Sequence, residues 1–89
     1  MDKDVEVLDE LVIQLRKPVK LGEEIITELR LREPNMGEIE KFTKNMSKWS
    51  PLEAMNFFIA DIAKISKPAV DLIGGRDGKL AREYLQNFL

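Results

Sequence analysis

The stretch Leu11-Val12-Ile13-Gln14-Leu15-Arg16-Lys17-Pro18-Val19-Lys20-Leu21-Gly22-Glu23-Glu24-Ile25-Ile26-Thr27-Glu28-Leu29-Arg30-Leu31-Arg32 decides the fold. Leu11, Ile13, Leu15, Val19 and Leu21 share one parity, and Gln14, Arg16 and Lys20 take the other. That is the period of a half-buried strand. After Gly22-Glu23-Glu24 the alternation resumes, with Ile25, Leu29 and Leu31 set against Glu28, Arg30 and Arg32. Two such strands across a glycine-containing turn predict an antiparallel β-hairpin over residues 11–33. Both apolar sets are odd-numbered, and directly paired residues share a face. Paired numbers must then sum to an even value, which asks for an odd-length loop or a bulge. Pro18 has no N–H for the ladder, so it belongs at that bulge or on an edge.

Downstream of the hairpin the period changes to that of a helix. Pro34 ends the second strand, and Asn35-Met36-Gly37-Glu38 reads as an N-cap with an acidic residue three positions on. Ile39, Phe42, Met46 and Trp49 follow at helical spacing. Ser50-Pro51-Leu52-Glu53 is a stronger start, with a cap, a proline at the first helical position and a glutamate to complete a capping box. The helix it opens carries Leu52, Ala54, Met55, Phe58, Ile59, Ile62 and Ile65 and is expected to run to about Ser66. Pro68 to Ile73 suits a short helical piece stopped by Gly74-Gly75. Asp77 is placed as the cap of a last helix whose apolar face is Leu80, Ala81, Tyr84, Leu85, Phe88 and Leu89. A hairpin followed by three or four short helices over residues 35–89 is an α+β arrangement. An isolated two-stranded sheet is marginal, so the helices must cover its apolar face.

The chain of 89 residues fits one domain, 1–89. Residues 1–9 are charge-rich and are read as mobile or weakly docked. Cysteine and histidine are both absent. That removes disulfides, thiolate metal sites, the commonest general base and the commonest zinc ligand. Fourteen basic and 16 acidic residues are interspersed, for a net charge of −2. Nucleic-acid binding by counterion release calls instead for a clustered basic face. No apolar run approaches the ~20 residues of a membrane span, and Met1-Asp2-Lys3-Asp4 lacks the features of a signal peptide. The expected compartment is the cytoplasm in which the chain is made.

The remaining motifs have structural explanations. Asp71 with Gly74-Gly75-Arg76-Asp77-Gly78 lacks the lysine and spacing of a phosphate loop and reads as a helix stop followed by a helix start. Asp2, Asp4 and Glu6, and the pair Glu23-Glu24, fall short of a calcium loop. Glu38 with Glu40, and Asp61 with Lys64, read as surface charges. No catalytic, metal-binding or cofactor-binding residue is assigned, and no small-molecule substrate. The candidates for contact with another protein are Trp49, Phe57, Asp61, Tyr84 and Phe88. Phe57 lies off the main apolar face of its helix, between Asp61 and Lys64, so it is either covered by another element or left for a partner. Trp49 packs at the corner between two helices or faces outward. Tyr84 and Phe88 lie on the last helix, whose end either docks or continues an interface.

Residues 15–42, LRKPVKLGEEIITELRLREPNMGEIEKF, resemble the N-terminal half of the small tail assembly chaperones of contractile-tailed bacteriophages. The resemblance is carried by Lys17-Pro18-Val19, by Gly22, by Glu28-Leu29-Arg30-Leu31-Arg32-Glu33-Pro34 and by Gly37-Glu38-Ile39. It extends more loosely over residues 11–89. It implies a non-enzymatic protein of the host bacterial cytoplasm, absent from the mature virion. Its implied partner is the tape measure protein, a long helical client kept soluble during tail morphogenesis. Tail tube protein is a further implied partner, and a homo-oligomer is compatible with it. A rival reading is a small DNA-associated phage regulator or antitoxin-like protein, because three short helices have room for a helix-turn-helix. The net charge of −2 and the lack of a basic recognition helix weigh against that rival.

Overall fold

The structure, a computed structural model, describes residues 7–89. The expectation of a loosely held start falls mainly on residues 1–6, outside the described residues.

Strand β1 (Glu10–Leu21) pairs antiparallel with β2 (Glu24–Arg32). Only Gly22-Glu23 separates them, and Gly22 takes a φ of +62°. Glycine first, with φ positive there alone, is the sign pattern of a type II′ turn, whose twist matches that of the strands. Near the open end Leu11 faces Leu31 and Ile13 faces Leu29, an even sum. Near the turn Val19 faces Ile26 and Lys20 faces Ile25, an odd sum. The two registers meet where Leu15, Arg16, Lys17 and Pro18 stand against Thr27 alone. The expected irregularity is therefore present, and Pro18 lies within it.

It also corrects one residue. The alternation places Ile25 inside, yet Ile25 is 63% exposed and Ile26 is 7% exposed. An even loop pairs odd-numbered Val19 with even-numbered Ile26. Facing residues share a side, so Ile26 goes in and Ile25 goes out.

Helix α1 (Met36–Met46) starts as its sequence demands. Asn35 Oδ1 accepts from the Glu38 N–H, and Glu38 Oε1 accepts from the Asn35 N–H, each at 2.9 Å. Glu38 also receives a bidentate pair of bonds from the Arg32 guanidinium at 2.9 and 2.7 Å, tying β2 to α1. The Arg32 bonds, helped by the Asn35 N–H and opposed by partial burial, push the Glu38 carboxyl down to about 2. A depressed carboxylate stabilises the fold above its ordinary range, and that contribution is lost as pH falls from about 5 toward 2. The Glu38→Gln protein is expected to be less stable than the wild type by about 1 kcal/mol at pH 7, a figure kept modest because Arg32 is well solvated. The difference should vanish near pH 2. Urea unfolding of both proteins at the two pH values checks this, and a gap that persists at low pH would refute it.

Helix α2 (Pro51–Ala63) opens on Ser50, whose Oγ accepts from the Glu53 N–H at 3.2 Å. The Glu53 carboxylate faces Lys67 at 3.7 Å. The helix ends three residues before Ser66. Lys64 turns left-handed at φ 59°, and the N–H groups of Lys64 and Ile65 both donate to the Ala60 carbonyl. The reversal frees Ser66 to cap α3 (Lys67–Asp71) through the Ala69 N–H at 3.3 Å. Pro68, which disfavours a helical residue before it in mid-helix, is accommodated in that first turn.

Helix α4 (Gly75–Gln86) has Gly74 at its cap, so Asp77 is not the cap its position suggested. Asp77 sits in the first turn at 2% exposure, and its Oδ2 accepts from the Arg16 N–H at 2.8 Å. The carboxylate thus supplies an acceptor to the stretch of β1 where the ladder breaks. Helix α2 packs on β2, α3 and α4 pack on β1, and α1 packs on α2. Leu29 and Leu31 from the hairpin meet Phe58 and Ile59 from α2 and Ala81 and Leu85 from α4 in one buried cluster.

Candidate protein-binding surface

Several large apolar side chains are left outside that cluster. Phe42 of α1 lies 4.9 Å from Phe58, centroid to centroid, but Met46, one turn further on, is exposed. Leu52 precedes Ile59 by seven residues and so shares its face of α2. Ile59 is 2% exposed and Leu52 is 57% exposed. The face is right, but the covering elements stop short of the first turn. Leu89, at the end of the chain, is exposed as well. Met46, Leu52, Met55 and Leu89, with Phe42 and Pro51, line an open groove of about 520 Å³. Arg82 and Gln86 are its polar members.

Trp49, three residues from both Met46 and Leu52, stacks on Phe57 at 5.4 Å between ring centroids. The Lys67 ammonium lies 5.1 Å from the Phe57 centroid. The same ammonium reaches Asp71 at 3.0 Å, and the carboxylates of Asp71 foremost and then Glu53 raise its pKa. Phe57 is thereby half-covered within the fold while Trp49 stays exposed. Asp61 pairs with Lys41 of α1 at 3.0 Å and joins the two helices.

Tyr84 is buried. Its hydroxyl donates to the Leu8 carbonyl at 2.6 Å, holding the segment before β1 against α4. Burial raises the phenol pKa, and Asp9, Glu33 and Glu10 raise it further. Phe88 meets the Tyr84 ring edge-on at 5.4 Å and is half-buried. The structure therefore gathers the sequence candidates into two aromatic pairs, Trp49 with Phe57 and Tyr84 with Phe88. Asp61 stands apart from both as an inter-helix ion pair.

Met46, Leu52, Leu89 and Arg82 are not among the contact candidates named from sequence, although the end of the last helix is left open there to continue an interface. The first three are on apolar faces that periodicity assigns to the core, and periodicity carries no information about where a covering element ends. Among the described residues no group of three or more His, Cys, Asp or Glu side chains could hold a metal ion, and no helix is long and apolar enough to cross a membrane.

Residues 12–89 match the family described as phage tail assembly chaperone proteins, E, or 41 or 14. The chain belongs to this family. The match runs from β1 to the last residue, so the hairpin, all four helices and the exposed groove lie inside the phage tail assembly chaperone region. No curated protein and no solved structure matches the chain. For a tail assembly chaperone, an exposed apolar groove on a charged surface is the feature that calls for a partner.

Proposed function

We propose that the protein binds the tape measure protein through the groove at the α1–α2 corner and keeps that client soluble while the tail is built. The observation that carries this reading is the exposure of Met46, Leu52 and Leu89 around one concavity. Helix-in-groove recognition uses such surfaces, reading apolar anchors spaced at i, i+3 or i+4, and i+7. Trp49 extends the contact on the side of α2 that carries Phe57. Tyr84 and Phe88 act from behind, by holding α4 and the start of β1 in place. None of the side chains lining the groove is a carboxylate, hydroxyl or imidazole, and binding is the work proposed for it. The protein acts in the host cytoplasm and leaves before the virion is complete. Tail tube protein, which displaces it, is the second partner.

Co-expression with a tape measure fragment tests the reading. The wild-type protein is expected to carry the fragment into the soluble fraction and to co-purify with it. The Met46→Asp/Leu52→Asp double variant should lose both effects. Its own melting temperature should stay within a few degrees of wild type, because both side chains already face solvent. Equal solubilisation by wild type and double variant would overturn the proposal.

A further inference from the structure

The groove continues past the α1–α2 corner. A smaller cavity of about 100 Å³ runs among α2, α3 and α4 toward Gly74 and Gly78, and its one acidic lining residue, Asp71, is already engaged by Lys67 and Asn56. Leu52 and Arg82 line both spaces, so the two adjoin along the α2–α4 seam. Twelve residues of α4 rise about 18 Å, which is room for roughly three turns of a docked helix. Arg82 stands partway along this seam. Its Nη1 lies 3.7 Å from where a β-carbon on Gly78 would sit, so the guanidinium lies back along α4 over a glycine. Among the described residues no carboxylate comes within ion-pair distance of it.

A wholly apolar helix laid in this seam would cover a charged fork that has no carboxylate partner among the described residues. Covering an unpaired guanidinium opposes binding, whereas a carboxylate set opposite it forms a bidentate pair. We infer that the seam selects a client helix whose apolar face is interrupted by one Asp or Glu, and that Arg82 is the residue that reads it. The inference rests on the groove being the client site and adds the chemistry of the segment bound there. Leu52, Met46 and Leu89 supply the apolar contacts on one side of that pair, and the narrower space toward Gly78 accepts a small side chain on the other. The arrangement fixes the register of the client helix as well as its face, because only one position along it carries the charge.

The test uses the full chain with overlapping peptides spanning the tape measure protein, measured by fluorescence anisotropy. Peptides that bind wild type are expected to carry an acidic residue within an apolar stripe. Arg82→Gln should weaken them roughly tenfold and Arg82→Glu roughly a hundredfold or more. Wild-type affinity should fall with added salt more steeply than that of Arg82→Gln. Changing the acidic residue of a bound peptide to lysine should restore binding to Arg82→Glu. Melting curves of both variants report whether they fold, and the milder Arg82→Gln keeps the test decisive if Arg82→Glu does not. Unchanged affinity in both Arg82 variants, with binding still abolished by Met46→Asp/Leu52→Asp, overturns the inference while the groove reading stands. Binding unaffected by the groove double variant overturns both. Loss of self-association in Arg82→Glu, without loss of peptide affinity, would make a second copy the occupant and would also overturn it.

Discussion

Phe58→Ala is expected to remove about 3–5 kcal/mol of stability, the largest loss available to a single truncation in this chain. Phe58 is 2% exposed, stacks on Phe42 at 4.9 Å and belongs to the cluster that joins the hairpin to α2 and α4. Removing the ring forfeits its burial and leaves a cavity that α1, which contributes no fully buried side chain, is poorly placed to fill. A domain of this length has on the order of 4–13 kcal/mol in total, so the variant should be largely unfolded well below the wild-type melting temperature. Phe58→Leu, which keeps most of the volume, should lose much less. Urea titrations followed by far-UV circular dichroism measure both, and a loss under about 1 kcal/mol for the alanine variant would contradict the assigned core.

The second large effect falls on a polar group. Asp77→Ala should cost about 2 kcal/mol, because the bond from the Arg16 N–H to a carboxylate is lost and the break in the β1 ladder keeps an unsatisfied donor. In melting temperature that is roughly 8–16 °C for a domain of this size. Asp77→Asn retains a side-chain oxygen and should lose only part of it. The damage should be local before it is global. Amide exchange at Arg16 and Val19 should speed up in the alanine variant more than exchange at Ile59 or Leu85. An alanine variant that melts with wild type would show that solvent serves the Arg16 N–H equally well.

Asp77 also shows where reading from sequence stops. The caps at Asn35 and Ser50, the Gly22 turn and the two strands are set by residues within four positions of each other, and local chemistry is legible in a linear string. The acceptor for Arg16 lies 61 positions away. Nothing near Asp77 distinguishes a helix cap from a support for a distant strand, since both roles favour an acidic residue beside glycine. Ile25 and Ile26 present the same limit in another form. Adjacent isoleucines satisfy either register, and the choice is made by loop length together with the irregularity at Leu15–Pro18. The early end of α2 depends on Lys64 adopting a conformation that lysine seldom takes, favoured here because Ser66 and Pro68 start the next helix.

The candidate surface was legible in kind. A small charged chain without histidine or cysteine points away from chemistry and toward protein contact, and the family match agrees with that direction. Its location was less so. Phe57 drew notice for lying off the apolar face, and Trp49 and Lys67 half-cover it. Leu52 drew none because it lies on that face, and it is exposed because the covering elements end before it does.

The four-against-one mismatch in the hairpin bears on how the molecule behaves in a crowd. A two-stranded sheet has bare rims on both sides, and a straight rim recruits further strands, the first step toward fibres. Here one rim is bent midway, lacks a donor at Pro18 and has the Arg16 amide already engaged by Asp77. An incoming strand finds no continuous row of groups to copy along that rim, so the irregularity that Asp77 supports also blunts the β1 edge against self-templated stacking.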